Sequence, residues 1–221
     1  TPAQRGPAIV PPLASSAVHG RGQEPSWRLD IDGGRLTFST LDPAQAVTAT
    51  APQAAAIRGG WAYSLDGQPR GVLRAEVTAG LCSDSMSGMP YPWTLRVRYD
   101  GRDWTGCAGE PAATLWGSEW VVEDIDGGGM IDNSRATLNF APDGSVYGRS
   151  SCNTYRGRYS ITGAGLGVSQ LAGTLMACAP SLMQQEQRFN AALTQAQRFA
   201  FDANGALLLF SADQRRLLAR R

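Results

Sequence analysis

Four cysteines, one histidine and nineteen carboxylates are what this chain offers for binding a metal, attacking a carbonyl or moving a proton. Their spacing narrows the choice. The cysteines fall as Cys82/Cys107 and Cys152/Cys178, 25 and 26 positions apart, one pair in each half. An even count divided in this way reads as one disulfide per domain, which requires an oxidising compartment. Free buried thiols and a metal site are the competing readings. Paired zinc ligands usually come as C-x-x-C, and the chain has no such step. In the chain-entropy picture, closing a loop of about 26 residues stabilises a domain by roughly 3.5 kcal/mol.

What is missing excludes more. There is no lysine, and the single histidine, His19, lies in a stretch rich in Pro and Ala. Ser–His–Asp, Cys–His and Ser–Lys catalysis, Schiff-base chemistry, the phosphate-loop lysine and His-rich metal sites each lose a required group. Carboxylate chemistry survives, because glycoside hydrolysis needs two acids about 5–9 Å apart and no histidine. Glu119, Glu123 and Asp124 are the candidates, but they sit around turns, where acids are ordinarily solvated. A glycoside hydrolase is therefore the alternative, and the expectation is a protein that is not an enzyme and uses no cofactor. DIDGGG at 124–129 resembles the opening of a calcium loop, but Gly128 and Arg135 stand where its fifth and twelfth ligands should be, so it reads as a turn.

The formal charge is +1, with ten arginines against ten acids in residues 1–112 and ten against nine in 113–221. A nucleic-acid partner would normally call for a basic excess or stripe, and none is expected. Met86, Met89, Tyr91 and Trp93 gather after Cys82 as either an adaptable binding lip or a cover over the β core. The C-terminal RRLLARR reads as a solvated edge strand or terminus, with contact to an anionic lipid or glycan as the functional alternative.

The elements that must carry these residues are mostly strands. Residues 1–25 hold five prolines and no apolar periodicity, so they read as a disordered leader or tether. Trp27, Leu29 and Ile31 then alternate into Asp32-Gly33-Gly34, followed by Leu36 and Phe38, which is a hairpin signature. Trp61, Tyr63 and Leu65 pair similarly with Leu73, Ala75 and Val77, and Trp93 to Tyr99 turn at Asp100-Gly101 towards Trp104 and Cys107. The N-terminal β domain thus spans 26–111. The second domain, 114–221, alternates through Ala136, Leu138 and Phe140 into a PDGS turn. Its one helical period lies near 181–197, where Ser181 and Gln184 form a capping box and Leu182, Phe189, Leu193 and Ala196 share a face. Final strands are expected at 198–201, 206–211 and 215–219. The predicted fold class is mainly β: two small antiparallel β barrel-like domains, the second (α+β) with a single packed helix.

Within that second domain, SSCNTYRGRYS at 150–160 and TLMACAP at 174–180 resemble the META/HslJ-like domain of bacterial envelope proteins. The family's Gly-Cys-Asn-x-Tyr-x-Gly-x-Tyr run, its Thr-x-Met-Ala-Cys run and its helical Glu fall on Cys152, Asn153, Tyr155, Gly157, Tyr159, Thr174, Met176, Cys178 and Glu186. One departure is Ser151, which stands where the family usually has Gly and bears on the backbone geometry before the cysteine. Residues 82–109 are similar to a second uncharacterised envelope domain with a Cys-x-Asp-x-Met-Ser opening, a Tyr-Pro and a closing Gly-Cys, which singles out Asp84, Met86 and Tyr91. Glu186 falls near the helix's apolar face and needs a partner: backbone amides, a hydroxyl of Tyr155 or Tyr159, or Arg156.

The resemblance implies a secreted or lipid-anchored protein, some relatives being heat-induced or linked to antibiotic tolerance, and a β barrel-like sheet with one packed helix, similar to lipid-binding secretin pilotins. The chain opens on Thr1 and has no stretch of 18 apolar residues, so a removed secretory signal is expected. Arginine as the only strong base points to a GC-rich bacterial genome, and the periplasm or outer membrane to the compartment. The expected function is non-catalytic and stress-related, acting by binding an envelope protein or a lipid, with peripheral or lipid-anchored membrane association. The runner-up is an inhibitor of a lysozyme-like or other hydrolase.

Overall fold

Apolar residues at every second position between Gly- and Asp-rich turns make strands. The computed structural model describes residues 7, 9–14 and 16–221, and the chain divides into two compact units, Ile9–Thr114 and Leu115–Arg221. Each is a curled half-barrel of antiparallel strands, and the second carries the one α-helix among the described residues.

The first unit contains β1 (Val18–Gln23), β2 (Ser26–Asp32), β3 (Arg35–Thr40), β4 (Val47–Thr50) and β5 (Ala55–Ile57). It continues with β6 (Gly60–Leu65), β7 (Leu73–Ser83), β8 (Pro90–Tyr99) and β9 (Arg102–Ala108). The sheet order is β4-β3-β2-β1-β9-β8-β7-β6-β5. The three expected hairpins are present as β2–β3, β6–β7 and β8–β9. Gly33 and Gly34 turn the first with φ of 54° and 76°, as a two-residue hairpin loop requires. Phe38 centres the core, its ring edge-on to Tyr99 and Trp104.

The disordered leader expected over 1–25 is corrected for the residues described. β1 lies in the interior of the sheet, pairing with β2 through six residues and with β9 at Gly20–Ala108 and Arg21–Cys107. Its inward positions are Val18, Gly20 and Gly22. A Cβ on Gly22 would stand 2.2 Å from Trp27 Nε1, and one on Gly20 2.1 Å from Leu95 Cδ2. Neighbouring side chains fill the space that β1's own residues leave, and the strand therefore shows no apolar alternation. Upstream, the indoles of Trp61 and Trp93 donate to the carbonyls of Pro12 (2.7 Å) and Val10 (2.9 Å). Residues 1–6, 8 and 15 of the expected leader lie outside the described residues.

The second unit contains β10 (Trp120–Ile125), β11 (Thr137–Phe140), β12 (Ser145–Arg149), β13 (Thr154–Thr162) and β14 (Gly165–Gly173). Helix α1 (Pro180–Thr194) follows, then β15 (Arg198–Phe201), β16 (Leu207–Phe210) and β17 (Arg216–Arg220). The order is β14-β13-β12-β11-β10-β17-β16-β15. The two outer strands approach where Leu166 N–H donates to Gln197 O at 2.8 Å. α1 packs against β14, β10, β16 and β17, strands from both halves of the sheet, and so fills the curl. Phe189 and Leu193 are fully buried there, with Phe189 5.3 Å from the Tyr155 ring.

Two expectations change here. The helix starts one residue before Ser181, with Pro180 in its first turn and Ala179 at the cap making no side-chain bond, so the Ser181/Gln184 capping box is absent. Proline's fixed φ serves the start instead. RRLLARR is not an edge strand: β17 sits between β10 and β16 with Leu217 and Ala219 buried. Its arginines face specific partners. Arg215 pairs with Asp126 and Arg220 with Glu123, while Arg221 lies 3.9 Å from the Trp120 ring centroid, burial lowering its pKa to about 10.

Candidate functional site

The turn between β12 and β13, the end of β14 and the first half of α1 meet at one disulfide, Cys152–Cys178, with Cα atoms 6.1 Å apart. Asn153 is the centre of this junction. Its Oδ1 accepts from Thr174 Oγ1 at 2.7 Å and from Met176 N at 2.8 Å. Its Nδ2 donates to Glu186 Oε1 at 3.1 Å and to Met176 O at 3.5 Å. Its backbone N–H donates to Glu186 Oε2 at 2.9 Å, and its carbonyl accepts from Ser150 N at 2.8 Å. An asparagine can make four side-chain hydrogen bonds, two each way, and here every one ends on the protein. Of the partners expected for Glu186, the backbone amide is present, joined by the Asn153 amide. The tyrosines and Arg156 point elsewhere.

Ser151 carries φ of 99°, a conformation that glycine adopts without strain and other residues rarely do. The departure from the family's glycine has a local compensation. Ser151 is buried, and its Oγ accepts from Gln185 Nε2 at 2.8 Å. Gln185 also donates to Ser134 Oγ at 2.7 Å and accepts from Ile131 N at 2.7 Å. Sequence reasoning missed Gln185 because it interrupts the apolar face of α1, and a polar residue there reads as solvated. The signal was Ser151, a non-glycine at a glycine position.

Tyr155 and Tyr159 point to the same side of β13, both buried. Tyr155 OH donates to Thr137 O at 2.8 Å, and burial together with the Glu119 charge pushes its pKa far up. Tyr159 OH donates to Ala141 O at 2.8 Å and accepts from Trp116 Nε1 at 2.7 Å; burial raises its pKa as well. Arg156 is on the outward face of β13, opposite Tyr147 on β12 and Ala172 on β14. Thr174 is bound to Asn153, whereas the Met176 side chain is 60% exposed.

A family model of the META domain matches residues 113–221. Residues 113–221 are a META domain. Two solved structures are similar to the chain: an NMR structure of a protein from Burkholderia xenovorans is 26% identical, covering 50% of this chain and 86% of its own, with a TM-score of 0.42. A second NMR structure is 24% identical, covering 49% of this chain and 92% of its own, with a TM-score of 0.41. No curated protein matches the chain.

The acids proposed for hydrolysis within the META domain are engaged. Partial burial would raise the pKa of Glu119, but bonds from Arg135 (2.5 Å), Asn139 and Thr137 hold it below the usual carboxylate range. A general acid for glycoside cleavage needs the opposite shift. Glu123 pairs with Arg220, and Asp124 accepts from the N–H groups of Gly127 and Gly129, each at 2.8 Å, which makes DIDGGG the expected turn. Among the described residues, no three His, Cys, Asp or Glu side chains converge as metal ligands.

In the first unit, Cys82–Cys107 is a disulfide with Cα atoms 5.5 Å apart, joining the ends of β7 and β9. Asp84 is buried beside it, accepting from the N–H of Met86 (2.8 Å) and Ser87 (3.1 Å) and from Gln23 Nε2 (3.3 Å). Met86 is 75% exposed, whereas Met89 and Tyr91 are buried. Tyr91 OH accepts from Arg21, whose guanidinium lies 5.5 Å from the ring centroid. Arg21 and Gln23 belong to β1, and reading that strand as a leader hid both.

Proposed function

We propose that this chain is a non-catalytic binding protein of the bacterial envelope, working in an oxidising compartment at the periplasm or outer membrane. The saturation of Asn153 supports the non-catalytic part most directly. A side chain whose donors and acceptors all end on its own protein has none left to orient or polarise a substrate. The motif that marks the META domain then serves as a latch holding the β12–β13 turn, the end of β14 and α1 together. Two disulfides favour an oxidising compartment. A stress-related role rests on the family resemblance.

The test is co-purification of the oxidised, tagged chain with periplasmic and outer-membrane extract, with retained proteins and lipids identified by mass spectrometry. Retention of a specific species, lost when the disulfides are reduced, is the expected result. Hydrolysis of glycan or peptidoglycan substrates by the pure protein, abolished in Glu119→Gln or Glu123→Gln, would overturn the non-catalytic reading.

A further inference from the structure

The segment that leaves β14 and enters α1 reads LAGTLMACAPSLM over 171–183, thirteen residues without a charge. Leu175 is 99% exposed, Met176 60% and Met183 43%. Burying an apolar side chain is favourable in proportion to its area, and a leucine left wholly in water forgoes all of it. The backbone beneath is fixed: Thr174 and Met176 bond to Asn153, and Cys178 is cross-linked to Cys152. These side chains are held out, and a surface already ordered loses little entropy when it binds.

Charge on the neighbouring strands indicates what covers them. Arg149 and Arg156 are exposed on the outer face of β12 and β13, at the end that carries the Cys152 cross-link. Arg156 stands opposite Ala172 on β14 and opposite Tyr147, itself 46% exposed, on β12. The ion pairs of this unit engage Arg135, Arg215 and Arg220, and neither Arg149 nor Arg156 has one among the described residues. The opposing acids are few. Glu186 is held by Asn153, and Glu119, bonded to Asn139 opposite Tyr147, is paired with Arg135. Asp143 acts on Arg158 and Arg156 from the far end of β12, and Asp132 is exposed on the loop that bonds Gln185. Apolar tips seated among acyl chains, with arginines and a tyrosine at headgroup level, are how interfacial segments hold an anionic bilayer.

We infer that Leu175, Met176 and Met183 insert into the interface of an anionic phospholipid bilayer, with Arg149 and Arg156 on lipid phosphates. This rests on the binding reading above and gives it a surface. The experiment is co-sedimentation of the full, oxidised chain with phosphatidylglycerol/phosphatidylethanolamine vesicles and with phosphatidylcholine vesicles. Binding is expected on the anionic vesicles, weakening with salt. It should fall about tenfold or more in Leu175→Ser/Met183→Ser and in Arg149→Gln/Arg156→Gln. Asp132→Asn should bind more tightly. Because these residues are exposed, the melting temperature checks that each variant is folded. As a second readout, Leu175→Trp should shift its emission to the blue on anionic vesicles and be quenched by brominated lipid. Anionic vesicles bound no better than phosphatidylcholine, or bound equally by all variants, would overturn the inference. So would an envelope protein captured through the same tip without vesicle binding, although that result would leave the binding reading standing.

Discussion

Glu186 on the helix and Asn153 in the β12–β13 turn, 33 positions apart, meet through both the backbone and the side chain of the asparagine, at 2.9 and 3.1 Å. The contact spans the turn, the helix and, through Thr174 and Met176, the end of β14. A carboxylate accepting two such bonds is satisfied without a counter-ion, so the helix can bring an acid to its inner face at little cost.

Removing either side of that contact should have unequal effects. Asn153→Ala keeps the backbone bond to Glu186 Oε2 but leaves Glu186 Oε1 and the Met176 N–H without their side-chain partner, and should cost about 1–3 kcal/mol in urea unfolding. Glu186→Gln keeps an acceptor facing the Asn153 amides and should cost less. The reverse order would mean that the charge, rather than the hydrogen bonds, carries the interaction.

Ser151 offers a comparison of strain against bonding. Ser151→Ala keeps the φ of 99° and removes the acceptor for Gln185, and should destabilise by about 1–3 kcal/mol. Ser151→Gly also loses the bond but relieves the backbone, and should fall nearer to the wild type. Calorimetric melting of the three proteins gives the order directly.

In the helix core, Phe189→Ala should cost about 3–5 kcal/mol, because the ring is fully buried against Tyr155. Urea unfolding that shows no loss of stability would mean that α1 is not packed as described.

β1 supplies a prediction opposite to the one its composition invites. A chain lacking residues 1–24 should lose the first unit's cooperative melt, since β2 and β9 would face each other across an absent strand. Gly22→Ala alone should cost about 1–3 kcal/mol by overpacking against Trp27.

The hairpins were legible in the sequence because Asp-Gly and Gly-Gly steps interrupt clean two-residue alternation. β1 was not, because the residues that would show the alternation are Gly20 and Gly22, and the apolar mass over them belongs to Leu95 and Trp27. The helix was readable from Phe189 and Leu193, but its start depends on Pro180 rather than on the Ser181 side chain. The motif residues could be picked out as a set. That they converge on Asn153 could not, because nothing in linear spacing brings position 186 back to 153. Gln185 shows the limit most plainly: burial of a polar side chain depends on partners at 131, 134 and 151.

Asp84 sets a pH dependence. Burial would raise its pKa, but the N–H groups of Ser87 and Met86, with Gln23 and the nearby Arg21, hold it below the usual aspartate range. A carboxyl lowered on folding adds stability above its unfolded value, about 4, and loses it as pH falls through the lower folded value. The first unit should therefore weaken on the acid side of pH 4, and Asp84→Asn should flatten that limb in melts recorded across the range.

The central claim is that the META motif is a latch rather than a reactive site, and a double-mutant cycle on Asn153 and Glu186 tests it most directly. Urea unfolding of the wild type, Asn153→Ala, Glu186→Ala and the double variant should give a coupling energy of about 1–2 kcal/mol, with vesicle and extract binding unchanged in Glu186→Ala and weakened but not lost in Asn153→Ala, which frees the Met176 tip. Additive effects within about 0.5 kcal/mol, together with binding lost while stability is kept, would contradict the account and place these two residues at a ligand.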